Sequence, residues 1–75
     1  MDTLIRILRG INEDIAWMEE TALIEDRILD SLAIVTLIAD LEEAFDVEIR
    51  AEEITSENFN SVETIWTMVC RLQGR

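Results

Sequence analysis

Apolar residues recur at intervals of three and four in three stretches of this chain, the spacing of a single buried face on an α-helix. Leu4, Leu8, Ile11, Ile15 and Met18 form the first stripe, which predicts a helix over about 3–18 with Asp2 or Thr3 capping its start. Ile34, Leu37, Ile38, Leu41 and Phe45 form the second and predict a helix over about 31–45. Asp30 and Ser31 stand at its entrance, where a short oxygen-bearing side chain accepts a hydrogen bond from a free backbone N–H. Val62, Ile65, Trp66, Val69 and Leu72 predict a last helix over about 61–72, and Asn60 with Glu63 three residues on reads as a capping box.

The connections carry their own apolar residues. The stretch 19–29 holds Leu23, Ile24, Ile28 and Leu29, which suits a loop laid back on the helices and not a free linker. The stretch 47–59 holds Ile49, Ile54 and Phe59 among polar residues, and periodicity leaves a short helix within about 51–59 and a series of turns equally open. No segment alternates apolar and polar residues long enough for a strand, and the chain has no repeat and no proline. The expected fold is all-α, a small bundle of three long helices plus one short helix, forming a single domain over residues 1–75.

Charge narrows the choice of partner. Against 6 basic residues stand 17 acidic ones, a net charge of −11. Such a surface repels phosphate backbones and anionic headgroups, so nucleic-acid and membrane-surface roles are disfavoured, and a basic patch on another protein is its natural complement. Histidine is absent and Cys70 is the single cysteine, which leaves no Ser-His or Cys-His pair and no internal disulfide. No enzyme activity is expected. No apolar run approaches the roughly 20 residues needed to cross a bilayer, and Met1-Asp2 lacks a basic signal-peptide start. The expectation is a soluble, cytoplasmic monomer.

Chemistry is most legible at Asp30-Ser31-Leu32, which places a primary hydroxyl at the electropositive start of the second helix. A phosphate ester there would meet unpaired N–H groups; equally, Asp and Ser are ordinary capping residues. Ser31, Val35, Ala39 and Glu42 are spaced by four, four and three, so they share one helix face, offset from the core stripe. The other acidic pairs are weaker candidates. Neighbours on a helix diverge by about 100°, so Glu42-Glu43 and Glu52-Glu53 each point apart and read as solvated faces, not metal or acid–base sites. Cys70, without a neighbouring Lys or His, reads as an inert thiol, and Trp17 and Trp66 as packing residues.

From Asp30-Ser31-Leu32 the sequence continues without a gap into Leu41, Glu42, Glu43, Phe45, Asp46, Glu48 and Ile49, and in this it resembles the acyl carrier protein family over roughly 28–72. The resemblance implies a four-helix bundle and attachment of 4′-phosphopantetheine to Ser31, with Asp30 and Leu32 flanking the site. The arm would come from coenzyme A through a separate Mg²⁺-dependent phosphopantetheinyl transferase and would carry an acyl or aminoacyl group as a thioester. The family's partner-facing surface falls here on Leu32, Val35 and Ala39 as apolar contacts, and on Glu42 and Glu43 as charged ones. A loading ligase and downstream transferases with basic patches are the implied partners.

The sequence also departs from the family pattern. Ile28 and Leu29 stand where many members have a glycine before Asp-Ser, Thr36 replaces an acidic residue, and Ala39 replaces a bulky apolar one. Ile-Leu before Asp-Ser looks like D-alanyl carrier proteins, and 57–62 looks like stand-alone carriers for amino acids or specialised biosynthesis; the cargo stays open. The alternative from another class is a non-catalytic acidic helical interaction module without cofactor, in which Asp30 and Ser31 act only as a cap. Either way, 17 carboxylates on a small domain repel one another. Added salt or Mg²⁺ is therefore expected to raise the thermal midpoint, and an unchanged or lower midpoint contradicts this.

Overall fold

Phe59, fully buried near the end of a one-turn helix, is surrounded by the apolar stripes read from the sequence. The computed structural model describes residues 1–74. Its helices are α1 (Asp2–Ile11), α2 (Ser31–Phe45), α3 (Ser56–Phe59) and α4 (Val62–Leu72), with short 3₁₀ turns at Trp17–Glu19 and Ala51–Glu53. The described residues contain no strand, so the all-α expectation holds, and the short helix left open within 51–59 is α3. α1 packs against both α2 and α4, and α3 against α4. Leu4 and Leu8 of α1, Leu37 and Leu41 of α2, and Ile65, Met68 and Val69 of α4 meet in one core, with no polar side chain fully buried among them.

α2 runs over the residues its pattern predicts; α1 does not. The stripe extended the first helix to 18, but the helix ends at Ile11. Asn12 leaves it in an extended conformation (φ −158°, ψ 111°), and its Oδ1 accepts the Asp14 N–H at 2.9 Å, an Asx turn that competes with helix. Ile15 and Trp17 still return to the core, held by the indole Nε1–H of Trp17 donating to the Asn12 carbonyl at 2.9 Å. Met18, counted in the stripe, is 65% exposed. At the other end Met1 holds the cap position without a side-chain bond, so neither Asp2 nor Thr3 caps α1; Asp2 lies in its first turn, where a negative charge suits the helix dipole.

The start of α4 also differs by one residue. Ser61, not Asn60, is the cap: its Oγ accepts the Thr64 N–H at 3.1 Å, while Thr64 Oγ1 accepts the Ser61 N–H at 3.1 Å. Asp46 ends α2 in the left-handed region (φ 55°), which a short polar side chain tolerates. Phe45 and Trp66 meet edge to face at 5.7 Å, joining the end of α2 to α4.

The Ala51–Glu53 turn is fastened to α4 by an ion pair. Arg71 donates to both carboxylate oxygens of Glu53, at 2.6 and 3.1 Å, and Asn58 Nδ2 donates to the same carboxylate at 3.2 Å. The Arg71 hydrogen bonds hold the Glu53 carboxyl below its ordinary pKa, although desolvation of a side chain only 17% exposed works the other way. A carboxyl depressed in the folded state contributes stability above its unfolded pKa and gives it up as pH falls through the folded value. Glu53→Gln is therefore expected to lower the thermal midpoint at neutral pH. The gap to wild type should close as the pH drops below the ordinary carboxylate range, and a gap that persists in acid contradicts the assignment.

Candidate functional site

Asp30 and Ser31, both candidates for the cap of α2, divide the work. Asp30 takes the cap, its Oδ1 accepting the Ala33 N–H at 2.8 Å, and its carbonyl accepts the first intrahelical bond from Ile34 N at 2.9 Å. Ser31 is thereby the first helical residue, exposed, and its hydroxyl has no hydrogen-bond partner among the described residues. The amides of Ser31 and Leu32 precede the first intrahelical bond and have no acceptor among the described residues, so an anion on the Ser31 oxygen would meet two donors and the positive end of a four-turn helix. Open recesses lie on either side. One is lined by Ile24, Arg27, Leu29, Asp30, Ser31 and Ile34, the other by Gly10, Ile11, Asp30, Leu32, Ala33 and Thr36.

The hydroxyl is held in place from a distance. The Asn60 carbonyl accepts the Leu23 N–H at 2.9 Å, and its side-chain Oδ1 accepts the N–H groups of Ile24 at 3.0 Å and Glu25 at 3.4 Å. The Leu23 carbonyl in turn accepts the Leu29 N–H at 2.9 Å, and the Leu23 and Leu29 side chains are both in the core. Asp30 and Ser31 follow directly. This ladder makes the 19–29 connection the packed loop that its apolar residues predict. Sequence reasoning missed it because Asn60 read as a cap; the available signal was Ser61-x-x-Thr64, which caps α4 without it.

The expected partner face of α2 is exposed at Leu32 (76%) and Val35 (64%), and Ala39 and Glu43 are exposed beside them. Glu42 lies at the same angle but is half-buried, and its Oε2 accepts the Ile49 N–H at 2.8 Å. It ties the 46–50 loop to α2, which leaves Glu43 as the outward carboxylate of the pair. Glu52 and Glu53 are separated in the same way, Glu53 engaged with Arg71 and Glu52 exposed. No three acidic or cysteine side chains among the described residues are placed to hold a metal ion, and no helix is long and apolar enough to cross a membrane.

Residues 24–68 match the family model described as a phosphopantetheine attachment site. Over 69 residues, 88% of this chain and 77% of the relative, the sequence is 39% identical to Aminoacyl carrier protein 1 of Bradyrhizobium diazoefficiens. The D-alanyl carrier protein of Streptococcus uberis is 34% identical over 83% of the chain and 78% of its own length. That of Streptococcus pyogenes serotype M5 is 33% identical over 96% and 92%. No solved structure gives a significant match.

The Asn60 ladder sets a measurable expectation. Asn60→Ala keeps the backbone bond to Leu23 but leaves the partly buried Ile24 N–H without its acceptor and the exposed Glu25 N–H to water, a loss of about 1 kcal/mol. Amide exchange at Ile24, Glu25 and Leu29 should quicken, while α4, capped by Ser61, keeps its protection. Unchanged exchange at Leu29 would show that the loop is held by its side chains alone.

Proposed function

The chain belongs to the phosphopantetheine-attachment family of carrier proteins, and from that membership we propose that Ser31 is the residue that bears the prosthetic group. It is a phosphopantetheine-bearing acyl or aminoacyl carrier, of a family whose members are not themselves catalysts. The single observation behind Ser31 is its free, exposed hydroxyl at the first position of α2, inside the matched segment, with Asp30 performing the cap.

The residues present fit the group. Attachment forms a P–O bond to Ser31 Oγ, expels the nucleotide portion of coenzyme A and releases the serine proton. The chain holds no histidine to take that proton, and family membership implies a separate Mg²⁺-dependent transferase that would supply the base. The Ser31 and Leu32 amides would be the donors nearest the ester, the α2 dipole would favour its negative charge, and the Asn60–Leu23–Leu29 ladder holds the loop that leads into Ser31. When bound, the arm supplies a terminal thiol that carries cargo as a thioester. Leu32, Val35 and Ala39 offer partners an apolar strip beside the serine, Glu43 an outward charge, and the net charge of −11 draws in basic surfaces on the transferase, loading ligase and acceptor enzymes.

We favour an amino acid as cargo. Relatives aligned along 83–96% of the chain are named for D-alanyl and aminoacyl groups, and small Ala39 and the Ile28-Leu29 pair before Asp30 accord with that. The setting is the cytoplasm. A cofactor-free adaptor finds no support in the family match.

Incubation with a broad-specificity transferase and coenzyme A is expected to add one phosphopantetheine per chain, read by intact mass. Ser31→Ala should take no label. Its stability should stay within about 0.5 kcal/mol of wild type, because the hydroxyl makes no bond in the fold. A labelled alanine variant would place the attachment elsewhere.

A further inference from the structure

Arg27 stands in the left-handed region at φ 59°, a conformation that suits glycine and strains a long side chain. Among the described residues only Asp46 shares it without being glycine, and Asp46 is accounted for as the end of α2. Arg27 ends a single helical turn within the loop: the Asp26 N–H donates to the Ala22 carbonyl at 2.8 Å, and its own N–H to the Ile24 carbonyl at 3.1 Å. A strained residue kept in place directs attention to what its side chain does.

Arg27 lines the recess that contains Ser31, together with Ile24, Leu29, Asp30 and Ile34. The recess on the opposite side of the helix tip has no basic residue. In a chain with 17 carboxylates the Arg27 guanidinium makes no ion pair and no hydrogen bond to the described residues, which is true also of Arg6 and Arg9 on α1, whereas Arg50 and Arg71 each have a glutamate. Of the uncommitted arginines among the described residues, Arg27 is the one that lines the recess of Ser31. It is an uncommitted cation on one side of the hydroxyl that would carry the phosphodiester.

We propose that Arg27 is a positioning residue for that phosphodiester, pairing with it opposite the Ser31 and Leu32 amides and drawing the first part of the arm onto the Ile24–Ile34 side of α2. The proposal rests on attachment at Ser31. A guanidinium is well matched to a phosphodiester, since it stays charged and presents several donors to phosphate oxygens. Here it is also carried by a short turn that the Asn60 ladder fixes. In so acidic a protein a new anion would otherwise meet net repulsion.

The test compares wild type, Arg27→Gly and Arg27→Gln, each as unmodified protein and after loading to completion by transferase. Glycine removes both charge and strain; glutamine keeps the left-handed side chain and removes only charge. Unmodified Arg27→Gly should melt at or above the wild-type midpoint, since the position is exposed and the strain is relieved. At low salt, loading should raise the wild-type midpoint by about 1–5 °C, the range of one partly exposed charge pair in a domain of this size. In both variants that rise should fall by more than half, and the ³¹P resonance, displaced by salt in wild type, should become insensitive to it.

An equal loading shift in all three proteins overturns the proposal. So does slower transferase labelling with an unchanged loading shift, which would assign Arg27 to partner docking. If wild type takes no label, the attachment reading falls and this one with it; if wild type is labelled and the shifts are equal, only the Arg27 proposal falls.

Discussion

Asn60 joins the end of α3 to the middle of the long loop, and the position of the Ser31 hydroxyl depends on that join. Its carbonyl and side-chain oxygen together accept from Leu23, Ile24 and Glu25; Leu23 then accepts from Leu29, and Leu29 leads into Asp30 and Ser31. Without this ladder, the connection between α1 and α2 would present unpaired N–H groups at the edge of the core, a cost no small domain tolerates easily. With it, a long segment lacking regular secondary structure becomes part of the scaffold. The start of α2 is fixed from both directions: by its own helix on one side and by a loop clamped to the far end of the fold on the other.

A similar division of roles appears at two helix starts. At each, two neighbouring polar residues could cap, and only one does. Asp30 caps α2 and leaves the Ser31 oxygen without a partner; Ser61 caps α4 with Thr64 and leaves the Asn60 amide to hold the loop. Capping is a local requirement, satisfied by whichever side chain the backbone aims at the second or third N–H. Doubling the candidates frees one for work elsewhere. Ser31 is thus spare in the fold, and a residue that stabilises nothing can be esterified with little effect on its neighbours. Glu42 shows the reverse case. Its charge lies at the angle of a partner contact, yet the Ile49 N–H engages it, so Glu43 carries the outward charge of the pair.

How much of this was legible follows from what each pattern measures. Apolar spacing records which residues return to the core, and in α2 that coincided with helix from Ser31 to Phe45. In α1 it did not: of the stripe residues beyond Ile11, Ile15 returns to the core past an Asx turn while Met18 stays exposed and Trp17, outside the stripe, is buried in its place, so the stripe outran the helix. The misplaced α4 cap had a similar cause, since Asn60 and Ser61 are both good caps and only the tertiary use of Asn60 separates them. The hydroxyl at the tip of α2 could be read from three letters. Arg27 could not, because left-handed φ at a non-glycine residue leaves no trace in composition or periodicity.

The exposed surface also bears on how long complexes last. Leu32 and Val35 are the large apolar side chains that α2 offers to solvent, and full burial of each is worth about 1.5–3 kcal/mol before the losses of association. That strip is too small for a tight complex by itself. A charge of −11 acts mainly at longer range, and with any partner surface of opposite sign it raises the encounter rate more than it slows release. Fast arrival and fast departure are what a carrier handing one cargo between several enzymes requires. Specific retention in such a carrier must then come from contacts that each partner makes with the arm and its load, and not from the apolar strip of α2.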